Sequence, residues 1–214
     1  MAFYSIRRQH QLRLRAFTLV ELLVVTAIMV VITSVVLVSN GRFGGVVQLE
    51  NFTYDVALSI RQAQVYGISV ARFGANTFAA GFGTHFDISS SNTYAVFSDS
   101  LTENGLYDCS NPTNPTPDNC ELVETTTMTG GYYIQDLCTT PPNGTENCEG
   151  ITKVDIVFIR PEPDAWISVS DTPCVLQNGS CQTSARIILA SPRWDTMSIV
   201  VGANGQITVR RNAQ

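Results

Sequence analysis

The stretch FTLVELLVVTAIMVVITSVVLVS, residues 17–39, decides how this chain is read. It runs 23 residues and holds a single charge, Glu21. At a rise of about 1.5 Å per residue, a helix of that length crosses a hydrocarbon core of ~30 Å. A carboxylate inside such a span costs roughly 2.5–3.5 kcal/mol on insertion scales and persists where something pairs with it. No cation lies within the span. The expected partner of Glu21 is a positive charge from another chain, or an ammonium created at the helix start by removal of the residues before it. An uncleaved signal anchor with an incidental Glu21 is the plainer alternative. A secretory signal peptide fits less well, because its apolar region runs about 7–15 residues to a small-residue cleavage site.

Outward from the span, the charge pattern sets orientation. Residues 1–16 carry Arg7, Arg8, Arg13 and Arg15 and no acid, so the positive-inside rule keeps them cytoplasmic and places everything after Ser39 outside. Beyond residue 16, nine basic residues face eighteen acidic ones, a formal charge of −9. So acidic an exterior argues against broad binding to nucleic acid or anionic membranes. The 214 residues suit one membrane helix and one domain with its own core, and a charged content of only 14% agrees with a membrane span.

A basic leader ending at Ala16, then Phe17-Thr18-Leu19-Val20-Glu21 opening an apolar span, resembles the N-terminal signature of type IV pilins and type II secretion pseudopilins. The resemblance implies cleavage between Ala16 and Phe17 by a prepilin peptidase, N-methylation of Phe17, and a pairing of Glu21 with the Phe17 ammonium of a neighbouring subunit as a filament grows. It implies as partners the prepilin peptidase/methyltransferase, other pilins or pseudopilins, an inner-membrane assembly platform and membrane lipid, and it implies no cofactor. The expected location is the inner membrane, single-pass, and then a periplasmic or cell-surface filament. Ala16 departs from the family, which usually has Gly before the cut.

After the span, Asn40-Gly41-Arg42-Phe43-Gly44-Gly45 predicts a kink or a locally unwound segment, since each Gly costs about 1 kcal/mol relative to Ala inside a helix. From Val46 to about Arg72 a helical pattern returns. Phe52, Val56, Ile60, Ala63 and Val70 approximate an apolar stripe, and Glu50, Asp55, Arg61, Gln62 and Gln64 fill the rest. Strand and turn patterns follow. Phe78–Ile88 and Thr93–Asp99 flank Ser89–Asn92 as a hairpin. Short strands are expected near Val123–Met128 and Tyr132–Leu137 inside a loop-rich region, 101–150. Val154, Ile156 and Phe158 alternate with Lys153 and Asp155 as a half-buried strand does. Ala165–Ser170, Ser184–Ala190 and Met197–Val201 are further strands. The ending MSIVVGANGQITVRR reads as a hairpin about Gly202–Gly205, with Ile207 and Val209 opposite Met197, Ile199 and Val201. The second helical segment, with Arg61, Ala63, Gly67 and Val70, and this terminal hairpin are similar to H-type minor pseudopilins.

The expected fold is therefore α+β: leader 1–16, transmembrane helix 17–39, glycine break and amphipathic helix 40–72, and a β-rich domain 73–214 built as an antiparallel sheet or small two-sheet sandwich. All six cysteines lie in that outer domain, which in an oxidising compartment reads as disulfides. Six cysteines allow 15 pairings; local bridges Cys109–Cys120, Cys138–Cys148 and Cys174–Cys181 each close a loop rich in Pro, Asn or Gly. Zinc is the alternative, but no C-x-x-C pair occurs and neither histidine is near a cysteine in sequence.

Enzyme chemistry finds little support. No G-x-S-x-G elbow, Walker A loop or H-E-x-x-H motif occurs, and His85 reads as a packing or edge histidine. Glu162, Asp164 and Asp171 match no EF-hand spacing. Trp194 reads as a packing or subunit-contact aromatic. Arg210 and Arg211 raise a DNA-receptor reading, with a meagre electrostatic footprint; an anchored binding domain that never polymerises is the other alternative.

Overall fold

The structure, a computed structural model, describes residues 17–69, 81–174 and 180–211, leaving the side chains of 38–43 outside the description. Val70, Arg72 and the start of the Phe78–Ile88 expectation lie outside the described residues, as do the leader and Ala16. The chain divides into two compact units, residues 1–43 and Gly44–Gln214.

Helix α1 is Leu19–Ile68. Its first part, Leu19–Leu37, is long and apolar enough to cross a membrane, and none of it is buried. The helical backbone persists through Asn40–Gly45, so the expected unwinding is not observed there. Helix formation is cooperative, and breaking it would create two further ends with unpaired N–H and C=O groups, a larger cost than three glycines impose.

Among the described residues of the second unit, nine strands form two antiparallel sheets. The first has the order β3-β2-β1-β5-β6, the second β4-β7-β8-β9. Their ranges are β1 Gly81–Asp87, β2 Thr93–Asp99, β3 Leu122–Thr127, β4 Tyr133–Thr140, β5 Lys153–Phe158, β6 Ala165–Val169, β7 Ser184–Ala190, β8 Thr196–Gly202 and β9 Ile207–Arg211. The terminal hairpin has the expected register, with Ile199 opposite Val209 and Val201 opposite Ile207.

The core lies between the sheets and the second part of α1. Leu49, Val56, Ile60 and Ala63 of the helix meet Phe86, Val96, Val154, Ile156 and Phe158 of the first sheet and Ile134, Leu137, Ile187, Leu189, Ile199 and Val201 of the second. Phe52 is only partly buried; Leu49, Thr53 and Gln64 take up the buried face instead. Gln64 is thus not part of the diluting polar surface. Its Nε2 donates to the carbonyls of Pro163 and Gly205, both at 3.0 Å, tying α1 to the β5–β6 connection and to the terminal turn. Gly205, at φ +74°, permits this approach: a Cβ there would sit 2.0 Å from the Pro163 carbonyl oxygen.

Two expectations for the strands are corrected. β5 is buried on both faces from Val154 to Phe158, because residues 100–121 cover the side of the first sheet facing away from α1. Region 101–150 is not merely surface loop: β4 spans eight residues and contributes Ile134 and Leu137 to the core.

Gly67 marks where helix and sheet backbones touch, since a Cβ there would lie 2.2 Å from the Phe158 carbonyl oxygen. Gly67→Ala gains about 1 kcal/mol of helix propensity yet forces an overpacked contact that typically costs ~1–3 kcal/mol. A lower midpoint of denaturant unfolding in the detergent-solubilised protein is the expected outcome; a higher midpoint would count against this packing.

Candidate functional sites

At the start of α1, Thr18 precedes the first helical residue and Glu21 sits three positions on. The Glu21 backbone N–H donates to Thr18 Oγ1 at 3.2 Å. In return Glu21 Oε2 accepts from the Thr18 N–H at 3.3 Å and from its hydroxyl at 3.2 Å. This is a reciprocal capping box. Glu21 therefore has a polar partner, Thr18, at the helix start, beside the positive charge expected for it. The spacing Thr-x-x-Glu before an apolar run was the available signal. Among the described residues no contact engages Glu21 Oε1, so one oxygen stays available. Phe17 is 81% exposed.

In the second unit, α1 carries a second apolar surface opposite its buried face. Val47, Tyr54, Leu58 and Val65 are all exposed, and at 100° per residue they fall within an arc of ~40°. Arg61 lies on one side of this stripe and Asp55 on the other. The recurrence at 47, 54, 58 and 65 is legible in the sequence beside the stripe of Val56, Ile60 and Ala63, which packs inward.

Under residues 100–121 lies a layer of buried ionisable groups. Glu121 accepts from the backbone N–H of Ser100, Leu101 and Asp108 at 2.8–2.9 Å. Asp99 accepts from Asn104 and Gly105 at 3.0 and 2.9 Å. His85 is neither an edge residue nor simple packing: β1 lies between β2 and β5, and its Nδ1 lies 2.6 Å from Asp155 Oδ1. The Tyr107 ring lies 4.8 Å from the His85 ring and 5.5 Å from that of Phe97. Burial pushes the carboxyls of Asp155 and Glu121 upward, and burial lifts Asp99 from 3.8 to about 6. The carboxylates of Asp99 and Glu121 hold backbone amides, so the layer serves to fasten residues 100–121 to the sheet.

The cysteines pair as the local bridges Cys109–Cys120, Cys138–Cys148 and Cys174–Cys181. Asp136 approaches the sulfurs of Cys138 and Cys148, but these are bonded to each other and offer no thiolate. Asp171 pairs with Lys153 at 3.0 Å, and Glu162 and Asp164 lie together at another pocket, so the three acids form no common site. The two terminal arginines differ in their partners. Arg211 reaches Glu50 on α1 at 3.3 Å, and both Arg210 and Arg211 line a groove with Arg186 and Ser184. Arg186 is held by Glu146 at 2.7 Å.

No known family model, curated protein sequence or solved structure matches this chain.

The acid layer has a pH signature. A folded-state pKa of about 6 against an ordinary 3.8 means the folded protein binds the Asp99 proton more tightly. Its contribution to stability is complete below the unfolded value and is lost as pH rises through about 6. Asp99→Asn should gain on the wild type between pH 4 and pH 7 by on the order of a few degrees in Tm. Parallel Tm curves for the two proteins over that range would refute the assignment.

Proposed function

We propose that the chain is a structural subunit, a minor pseudopilin or minor pilin, of a type II secretion or type IV pilus filament. In this reading prepilin peptidase cuts between Ala16 and Phe17, Phe17 is N-methylated, and the subunit leaves the inner membrane to join a helical filament. The observation that carries the reading is a helix with two exposed apolar surfaces: the span Leu19–Leu37, long and apolar enough to cross a membrane, and the stripe Val47, Tyr54, Leu58 and Val65. Lipid suits the first of these surfaces in the membrane. Packing between subunits gives both an apolar environment outside it. The capping box adds a division of labour at Glu21: Oε2 is engaged by Thr18, and Oε1 is left for an incoming ammonium.

A membrane-anchored domain that does not polymerise leaves the second stripe without a role. A DNA-receptor role would draw on the groove of Arg186, Arg210 and Arg211, where Arg186 is paired to Glu146 and Arg211 to Glu50.

Intact-mass measurement of the membrane protein should find a chain beginning at methylated Phe17; a retained leader would favour the anchored domain. Glu21→Gln keeps a side chain able to close a capping box but removes its charge. Membrane insertion should persist while recovery in sheared filaments falls by about tenfold, as expected for loss of a charge pair contributing ~1.4 kcal/mol. Normal recovery would leave Glu21 with the cap alone. Leu58→Asp, at a position 64% exposed, should leave Tm within a degree or two and reduce recovery similarly.

A further inference from the structure

The connection between β7 and β8 turns through Pro192, Arg193 and Trp194. Ser191 and Asp195 close it: the Ser191 N–H donates to the Asp195 carbonyl at 2.9 Å and the Trp194 N–H to the Ser191 carbonyl at 3.0 Å. Ser191 Oγ also accepts from the N–H groups of Arg193 and Asp195, at 3.2 and 3.1 Å. Trp194 has φ +69° at the position that three-residue hairpin loops normally give to Gly. A bulky side chain there is strained. The indole is nonetheless 73% exposed, so packing within the unit does not offset the strain.

The place of this turn in the second unit indicates what meets the indole. The Tyr132 hydroxyl donates to the Gly45 carbonyl at 3.0 Å, a Cβ on Gly131 would lie 3.0 Å from Pro192 Cγ, and Tyr133 pairs with Ala190. These contacts put the β7–β8 turn at the end of the unit where the chain enters it, at Gly44–Gly45. Seven residue steps lead there from Leu37, the last residue of the apolar span. At no more than ~3.6 Å per residue, they form a tether of at most about 25 Å. The other tryptophan, Trp166, lies at the opposite end. Its neighbour Ala165 donates to the Ala203 carbonyl at 2.8 Å, just beyond β8 and ~20 Å along that strand from the tryptophan turn.

The surroundings of Trp194 suit lipid better than a protein partner. An energetic anchor of a protein contact normally stands in a well-packed, desolvated patch. Trp194 stands among exposed Pro192 and Arg193 and half-buried Asp195. An isolated amphipathic ring with polar neighbours is what the headgroup level of a bilayer favours, its apolar body against the acyl chains and its N–H among polar groups. We infer that, while the span lies in the bilayer, Trp194 inserts at the headgroup level of the leaflet facing the domain and holds this end of the domain to the membrane surface. The inference rests on the membrane placement of Leu19–Leu37 and not on polymerisation; it describes a minor subunit awaiting assembly and an anchored domain alike. With a formal charge of −9 beyond residue 16, the domain as a whole is not drawn to anionic lipid. The contact is therefore one of apolar burial, insensitive to salt.

The test uses the full-length protein reconstituted in phosphatidylcholine vesicles at high dilution, so that copies lie apart, with flotation to establish insertion. Subtracting the tryptophan emission of Trp194→Gly from that of the wild type isolates Trp194, and the remainder reports Trp166 as an internal control. Trp194→Gly relieves the strained φ, so Tm should hold or rise; Trp194→Asn, which tolerates the same backbone, serves as a second subtraction. Lipids brominated near the headgroup end of their acyl chains should remove about half of the Trp194 emission, and lipids brominated near the terminal methyl should remove less. The Trp166 emission should not change, and high salt should leave both results as they are. A Trp194 emission that no brominated lipid quenches would overturn the inference, as would equal quenching of Trp166 or quenching that salt abolishes. A blue shift of Trp194 that appears only when copies are crowded, without bromine quenching, would assign the indole to a protein contact and overturn it too. If the protein floats and Trp194 is not quenched, the membrane placement stands and this contact falls. If the protein does not float, both fall.

Discussion

The second unit depends on the packing of one helical face against two sheets at once. Ile60 and Ala63 are fully buried, and close by, Gly67 lets the helix backbone lie against the carbonyl of Phe158. Gln64 adds a polar tie at the same level, bridging two loops that belong to different sheets. A buried amide with both donors placed on carbonyls stabilises the contact and also fixes its register, since a shift of one residue would strand those groups. With this face committed inward, the apolar side chains on the opposite face of the same helix have no place in the domain's core.

Much of this arrangement was legible in the sequence, for identifiable reasons. β2, β7 and the β8–β9 hairpin announced themselves through alternation and a Gly-Ala-Asn-Gly turn, signals local to a few residues. The disulfides were legible because each closes a single connection. Other features were not. β5 alternates like a half-exposed strand, yet Asp155 and Val157 are buried by residues 100–121, a covering that depends on contacts far away in sequence. Gln64 looks like an ordinary surface residue until Pro163 and Gly205, distant in sequence, are brought beside it. At Glu21 the capping spacing from Thr18 is present in the sequence, beside a charge that equally calls for a cation. Trp194 gave no signal of its backbone conformation.

The layer beneath residues 100–121 shows a second way of covering a sheet. One side of the first sheet is sealed by apolar packing, Phe86, Tyr94 and Phe158 among it. The other is sealed by carboxylates that gather backbone amides, with His85 and Tyr107 among them. Burial disfavours the ionised acids, while amide donors at Asp99 and Glu121 and His85 at Asp155 favour them, and for all three burial prevails. Adhesion of this cover therefore responds to proton concentration in a way that the apolar side does not.

Each sulfur bridge spans one connection: β2 to β3, β4 to β5, or β6 to β7, with sequence separations of 11, 10 and 7. None joins strands that are remote along the chain. Strand order is consequently independent of oxidation, and mispairing among six thiols is limited because each partner is the nearest one. A reductant should loosen the three connections and leave the topology intact, so an oxidising compartment acts on this molecule as a finishing step and not as a template.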